Sequence, residues 1–461
     1  MATYEKQVTE LSSLLSGQLM DLEESVEYYD ACYRLETIGL AAPPEMRVLS
    51  HVVGWPRMYL DSLEERLDVE GFRLAGQSRQ IQEMWDWWQA NNMDEESCLA
   101  HLDAFIYGRS YVTVAAPGDG DIPGVPLIRV ESPRNFYAEV DPRTRKVKRA
   151  IRVYSQVTPT RTAEIVNPLD ARATLYLPNE TVFLVSDNGA WRVEGRVQHN
   201  LGVVPVVPLY NRQRAGDREG RSEILPEIRA ITDAASRTLM NMQAATEMMA
   251  TPQRYLFGVS PEALGTTDAE IREAYMGRLL SFEDAEGKAG QFTAAELRNF
   301  VEVLQELAKH VASYTGLPPQ YLSFSSDNPA SAEAIRSSES RLVKKCERKA
   351  RMFGGAWEEV MRLCLRVLGR EVPPEMARLE TVWRDPSTPT FAAKADAVTK
   401  LYSNGAGIIP KEFARIEMGF TDEQRREMRE WDRDDEALTI DSLLRQSPNM
   451  RPSEDREVEA T

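Results

Sequence analysis

Histidine and cysteine are scarce, with four of each in 461 residues. Cys32, Cys98, Cys346 and Cys364 stand far apart, with no CxxC and no Cys/His pairing, so their spacing speaks against a zinc site and against a disulfide framework. They read as small buried apolar side chains. His51, His101, His199 and His310 are scattered, without HExxH or any paired spacing. His101 and Asp103 are near in sequence but on different sides of a helix, which makes His101 a structural histidine rather than a base. There is no GxxxxGK[ST] phosphate loop and no GxSxG elbow, which excludes a P-loop ATPase and an α/β-hydrolase nucleophile. GDGDIPG at 118–124 lacks the spaced ligands and distal Glu of a calcium loop and reads as a turn. Carboxylate clusters at Asp94–Glu96 and Asp432–Glu436 read as solvated helix faces. No catalytic, cofactor-binding or metal-ligating residue is therefore expected; a nuclease built from dispersed carboxylates is the enzymatic reading that spacing leaves open. A run of about eighteen apolar residues is also missing, so no membrane partner is expected. The opening MATYEKQVTELSSLL lacks the basic-then-apolar order of a signal peptide, which predicts a reducing cytoplasm.

Positive charge is the other shortage. Lys and Arg number 55 against 72 Asp and Glu, a formal net charge of −17. A protein that grips DNA tightly carries a basic surface, because counterion release supplies most non-specific affinity. This chain as a whole repels DNA, so any contact with it is confined to a local patch or weak by design. Hydrophobic residues at 42% and charged residues at 28% are ordinary for a globular protein, and the length holds about two to four domains.

Apolar periodicity divides the chain. Leu11, Leu14, Leu15, Leu19, Leu22 and Val26 make residues 3–40 a helical lead-in, broken by AAPPEMRV at 41–48. Val48, Val52, Trp55 and Tyr59 resume helical spacing into LDSLEERLDVEGFRL. Met84, Trp85, Trp87 and Trp88 mark a tryptophan-rich helix over 78–91, its rings core or subunit-interface anchors, and 94–107 is a further helix. From 108 the period changes to two. SYVTVAAP, PLIRVESP, FYAEVDP, KRAIRVY, ATLYLP, TVFLVSD and VVPVVPLYN are strands separated by Gly, Pro, Asp and Asn, and DPRTRKVKR at 141–149 is a hairpin turn with a basic return strand. After NRQRAGDREGRSEILPEI, residues from Ile224 to Met249 follow one helical face until Pro252. A compact excursion over 251–293 follows, and Leu297, Phe300, Val301, Leu304, Leu307, Val311 and Tyr314 bring a second long helix back to Gly316 and Pro318. Two long helices flanking a small excursion read as a stalk with a tip. Late in the chain, EVPPEMARLETVWRDPSTPT is extended, 391–403 is helical, KEFARIEMGFTDEQRREMREW forms one or two charged helices, and SPNMRPSEDREVEAT is a disordered tail.

Residues 316–353 join these patterns. Their first half is a Pro/Ser/Asn loop; their second is a helix capped by Asn328 or Ser331. Ile335, Leu342, Cys346 and Phe353 form an apolar stripe, and Arg341, Lys344, Lys345 and Arg348 a basic one that needs an anionic partner, protein or nucleic acid.

The collinear order of YGRSYVTV, ESPRNFYAEVDPRT, GRSEILPEIRAITDAASRTLMNMQAATEMMATPQRYLFG, TGLPPQYLSFSSDNPASAEAIRSSESRLVKKCERK, FGGAWEEV, WRDPSTPTFAAKADAVTKL and IPKEFARIEMGF resembles the portal proteins of tailed bacteriophages, in the Gp6-like branch common among phages of actinobacteria. The resemblance covers nearly the whole chain. It implies an α+β, mainly helical subunit in a homo-oligomeric ring of about twelve copies at one capsid vertex, assembled in the host cytoplasm and retained in the virion. Double-stranded DNA passes through the ring during packaging and ejection. The implied partners are the terminase large subunit, a head-to-tail adaptor, and the major capsid and scaffolding proteins; the ATPase belongs to a separate chain.

By motif, 1–221 resembles the wing, 222–250 and 294–316 the two stem helices, and 251–293 the clip, with Arg254, Tyr255 and Phe257 as candidate contacts. Residues 317–332 resemble the tunnel-loop region, with Ser325, Ser326, Asp327, Asn328 and Pro329 as the candidate channel loop. The long helix and return to the wing fall at 333–399, a small crown at 400–446 and the tail at 447–461. About twelve chains at −17 each total roughly −200 charges, a field that keeps DNA from sticking to channel walls. The basic face of Arg341, Lys344, Lys345 and Arg348 then serves better as a seam between subunits than as a DNA grip. A head-morphogenesis or minor capsid protein without a channel is the alternative, with a DNA-processing enzyme behind it.

Overall fold

In the computed structural model the chain opens on α1 (Ala2–Tyr29), whose Val8, Leu11 and Leu15 are buried while Leu14 at the edge of that face is exposed. The residues described are 2–32, 52–77, 80–155, 171–187, 189–250, 254–257, 288–291, 297–322, 332–387, 391–402, 407–420 and 424–434. Two units divide the chain, Met1–Ser387 and Thr388–Thr461.

In the first unit α2 (Trp55–Glu64) is followed by β1 (Val69–Leu74), α3 (Gln82–Ala90) and α4 (Met93–Tyr107). The helix read into LDSLEERLDVEGFRL thus stops at Glu64. Val69, Phe72 and Leu74 instead bury along a strand that pairs antiparallel with β12 (Leu379–Trp383), more than 300 residues away. Seven strands appear where the period-two segments predict them: β2 (Arg109–Ala115), β3 (Leu127–Glu131), β4 (Phe136–Val140), β5 (Val147–Ser155), β6 (Ala171–Tyr176), β7 (Glu180–Asp187) and β9 (Val206–Tyr210). The sequence reading missed β8 (Ala190–Gln198), although Trp191, Val193 and Val197 alternate there with Arg192, Glu194 and Arg196; none of its residues is fully buried. The strands form an antiparallel three-stranded sheet, β3-β2-β9, and an antiparallel meander, β4-β5-β6-β7-β8. At the β4–β5 turn the Asp141 carboxylate accepts the amides of Arg143 and Thr144, each at 2.8 Å, as a basic hairpin turn requires.

Two helices and a strand pair extend from this body. They are α5 (Pro226–Ala250), β10 (Arg254–Phe257), β11 (Lys288–Gln291) and α6 (Arg298–Thr315), and α5 and α6 pack on each other. A short α7 (Pro319–Leu322) precedes α8 (Ala332–Val367), the longest helix described.

The main core gathers around α8. Leu342, Cys346, Phe353 and Trp357 are fully buried, and Trp357 meets Trp88 edge to face at 5.1 Å. Trp87 and Trp88 are thus core anchors, as the tryptophan-rich helix predicts. A second core lies where α1 covers the meander through Ile151, Val153, Ala173, Leu175, Val182 and Leu184. All four cysteines are free, and Cys346 and Cys364 are buried as expected. Cys32 is exposed and Cys98 half-buried, because they fall just past the end of α1 and on the outer side of α4.

The second unit contains α9 (Phe391–Tyr402), α10 (Lys411–Met418) and a helix over 424–434. Charges hold the last two together: Asp432 takes Lys411 and Arg415, and Glu412 takes Arg425 and Arg429. The tail at 447–461 lies outside the described residues.

Candidate functional site

The helical hairpin starts from a turn that only glycine permits. Gly108 ends α4 at φ +87°, and a Cβ there would stand 2.7 Å from the Arg221 backbone. Gly220 sits at φ +83°, and its Cβ would fall 1.8 Å from the Gly108 carbonyl oxygen. This close approach seats the 211–223 segment on the end of α4. Asn211 N–H donates to Gly108 O, Arg221 N–H to Asn211 O, and Glu223 N–H to Phe105 O. Glu223 is thereby carried into the core three residues before Pro226 opens α5.

Glu223 is 2% exposed, and both its oxygens are used. Oε1 accepts from Lys349 Nζ, Asn211 Nδ2 at 3.0 Å and Gln213 Nε2 at 3.2 Å. Oε2 accepts the Tyr59 hydroxyl at 2.7 Å and pairs with Lys345 Nζ at 3.6 Å. Lys345 also donates to Tyr59 Oη and to Thr315 O, the last at 3.1 Å, and lies over the Tyr59 ring. Burial alone would push the Glu223 carboxyl up, but Lys349 and Lys345 outweigh it and hold the group at about 2. The second ammonium has less to gain, and burial pushes Lys345 down. Burial, and then the Glu223 charge, drives the Tyr59 phenol well up, so it stays a donor. Four elements thus meet at one carboxylate: α2, the turn into α5, the end of α6, and α8.

A second set of contacts clasps the two sides of the 323–331 stretch. Gln320 Nε2 donates to Ser338 Oγ at 2.9 Å, and the Tyr321 hydroxyl donates to Glu339 Oε1 at 2.8 Å. Arg66 joins them, donating to Tyr321 Oη at 3.0 Å and to Pro386 O at 2.7 Å, and pairing with Glu339 at 3.4 Å.

The four cations of the predicted basic face are not equivalent. Arg341 donates to Ser313 O at 2.7 Å, over the end of α6, and Arg348 to Gln213 O at 2.9 Å. Lys345 turns inward to Glu223. Lys344 pairs with Glu347 of its own helix at 2.6 Å and is 73% exposed. Sequence reasoning missed Lys349 and Glu223 altogether. The available signal was Lys349 itself, which falls in the apolar stripe between Cys346 and Phe353; a lysine there demands a buried acceptor. Of the predicted tip contacts, Arg254, Tyr255 and Phe257 lie on β10, facing Gln291, Gly290 and Lys288 of β11 in register. The predicted channel loop, Ser325 to Pro329, lies outside the described residues.

His101 is fully buried between Phe353 and Trp357, and its Nε2 accepts the Trp357 indole N–H at 2.9 Å. Burial holds it at about 3, hence neutral, as a structural histidine requires. Among the described residues no group of three or more His, Cys, Asp and Glu is placed to hold a metal ion, and no helix is long and apolar enough to cross a membrane.

The described residues thus form an α+β body with a helical hairpin anchored on a buried ionic centre. The family described as phage portal protein, SPP1 Gp6-like, matches residues 8–439, and the chain belongs to it. The chain is 52% identical over 443 residues to the portal protein of Mycobacterium phage L5, covering 94% of this chain and 89% of that one. It is also 52% identical over 442 residues to the portal protein of Mycobacterium phage D29, with 94% and 90% covered. Among solved structures it is similar to a chain in the neck of a native gene transfer agent particle computed with C12 symmetry, at 14% identity and a TM-score of 0.45, covering 86% and 98%. A chain in the virion of the native gene transfer agent gives 14% identity and 0.43, covering 86% and 99%.

Proposed function

We propose that the chain is the portal subunit that forms a ring of about twelve copies at one vertex of a phage capsid, the conduit through which double-stranded DNA is packaged and ejected. The reading rests on family membership and on one observation above all. The α5–α6 hairpin is tied down at its base by Glu223, yet it leaves Leu297, Val301 and Val303 of α6 exposed at its other end. Copies of the same hairpin standing side by side give those side chains a place to go. In this assignment 1–221 is the wing, α5 and α6 are the stem helices, and the β10–β11 pair marks the clip that meets the terminase large subunit and later the head-to-tail adaptor. Residues 317–332 form the tunnel-loop region, and the unit from Thr388 onward includes the small crown. The ring is assembled in the host cytoplasm among major capsid and scaffolding proteins and stays in the virion. It does no chemistry itself. The −17 charge on each chain favours a channel wall that releases its cargo.

Arg341, Lys345 and Arg348 hold acceptors on other segments of their own chain, whereas Lys344 is 73% exposed and pairs with Glu347 of its own helix, which leaves Lys344 as the member of the basic face best placed to meet an acidic neighbour or a phosphate. Electron microscopy of the purified full-length protein tests the reading directly. Rings with a central hole wide enough for a duplex are expected; a monomer under every condition tried would sink it. Lys344→Glu is expected to lower the yield of rings or of DNA-filled particles, and normal filled particles would remove that residue from the seam.

A further inference from the structure

The conduit reading says nothing about how the stem and the helix that follows it are mechanically joined. We infer that Glu223 is a positioning residue that locks the base of the hairpin to the first half of α8, so that the two move as one body; the functional meaning of this lock rests on the conduit reading.

The argument begins with the number of charges. Two ammoniums, Lys345 and Lys349, share one carboxylate in the protein interior, and they stand one turn apart on the same side of α8. Sliding α8 by a single residue moves each ammonium about 1.5 Å along the axis and about 100° around it, which strips both from Glu223. Where no cation takes their place, the result is two buried charged groups, Glu223 and Lys349, without partners, a far larger penalty than the loss of surface pairs. A slide one way brings Cys346 and Ala350 into those two places, whereas the other way brings Lys344 and Arg348 there, so the pair fixes α8 against the first slide. The lock also reaches both stem helices. Glu223 lies in the turn that opens α5, and Lys345 holds Thr315 O at the last residue of α6.

From this centre the constraint runs toward the start of α8. Arg341 sits one turn before Lys345 and holds Ser313 O. Glu339 and Ser338 then clasp Tyr321 and Gln320, with Arg66 pairing Glu339 from α2's trailing turn. The contacts form an unbroken series from the α5 turn to residues 320–322. A tilt of the hairpin is therefore delivered to both flanks of 323–331 rather than absorbed in between. Phe353 and Trp357 anchor the second half of α8 in the body, so the series has a fixed end.

Hydrogen exchange on the full-length protein tests the lock, comparing wild type with Glu223→Gln, Lys349→Met and the double variant. Glu223→Gln is expected to lower protection of amides 312–317 and 341–350 by roughly 100-fold or more, with amides 150–154 and 173–184 of the five-stranded meander unchanged. The double variant removes one charge of each sign and is expected to regain at least about tenfold of that protection. Loss of protection spread equally into the meander, or a double variant no better than Glu223→Gln, would overturn the inference. Should Glu223→Gln fail to fold, Tyr59→Phe gives a milder cut, deleting only the hydroxyl that bridges Lys345 and Glu223. It is expected to lower protection of the same amides by about fivefold, and unchanged protection would count against the lock. Microscopy of the same wild-type sample separates the two ideas: absence of rings removes the conduit and leaves the exchange comparison standing, whereas rings with delocalised exchange remove the lock alone.

Discussion

The two ends of α6 obey different rules. At its base Val311, Ala312 and Thr315 are buried, Thr315 O receives Lys345, and Ser313 O receives Arg341, so the last turn of the helix has its carbonyls satisfied by cations. At its start Leu297 provides no side-chain cap, and Leu297, Val301 and Val303 are 36%, 44% and 49% exposed. Full burial of one aliphatic side chain is worth about 1.5–3 kcal/mol, a gain that the single chain leaves untaken at this end. The inward side of the base is therefore finished protein interior, although Tyr314 there is 54% exposed, and the outer end is the surface that the proposed ring would cover.

The largest effect should come from the finished end. Phe353 is fully buried against His101 and Phe105, on the same face of α8 as Cys346 and Lys349. Phe353→Ala is expected to cost about 3–5 kcal/mol, read as a lowered denaturant midpoint of the first unit. A cost near zero would mean that this core is not what holds α8 to the body, and the contrast between the two ends would lose its basis.

His101 gives a smaller, pH-dependent effect at the same end. The Trp357 indole N–H donates to Nε2, so a second ring proton would set N–H against N–H in a fully buried site. The folded state holds His101 near 3, while an unfolded imidazole titrates near its ordinary value of about 6.5. The unfolded chain therefore binds the extra proton first, and the stability contributed by neutral His101 is complete above about pH 6.5 and declines as the pH falls toward 3. His101→Gln keeps an acceptor for Trp357 but cannot titrate. The wild type is expected to lose roughly 2–3 kcal/mol more than this variant between pH 7 and 4.5. Parallel pH profiles of the two proteins would show that the histidine is solvated or charged.

Much of this architecture is legible in the chain because its signals are local. The 3.6-residue spacing of Leu342, Cys346 and Phe353 needs no partner to be read, and the period-two segments between 109 and 210 name seven of the eight strands there. What stayed hidden is long-range or polar. The β1–β12 pair joins Leu74 to Leu379, and a strand whose partner lies that far away looks locally like the fraying end of a helix. The alternation of β8 is weak, with Gly195 in the middle of the Trp191–Val193–Val197 face and that face only half-buried. The candidate site was half visible. A charge run groups Lys345 with Arg341, Lys344 and Arg348, but a linear sequence cannot say that Lys345 turns inward while Lys344 stays in water. Glu223 lies 126 residues before Lys349 and was unremarkable among the charges of NRQRAGDREGRSE. Only the lysine placed on an apolar stripe announced that an acid had to be waiting.

The smallest effect on the isolated chain belongs to the unfinished end, and it is the most informative. Val301 and Val303 are half-exposed on α6, so replacing both with Ser removes little buried area and is expected to change the stability of the monomer by less than about 1 kcal/mol. In the proposed ring the same two positions would sit between neighbouring hairpins, and each polar substitution would be repeated at every interface around the circle. A modest penalty per contact then multiplies with copy number, so the double variant is expected to shift the protein from rings to monomers at concentrations where wild type is assembled, with unchanged unfolding. Sedimentation at a series of concentrations reads the first quantity and denaturation the second. Loss of stability with assembly intact would reverse the assignment of the two ends, making the outer turns of α6 part of the single-chain core and leaving the ring to be closed elsewhere.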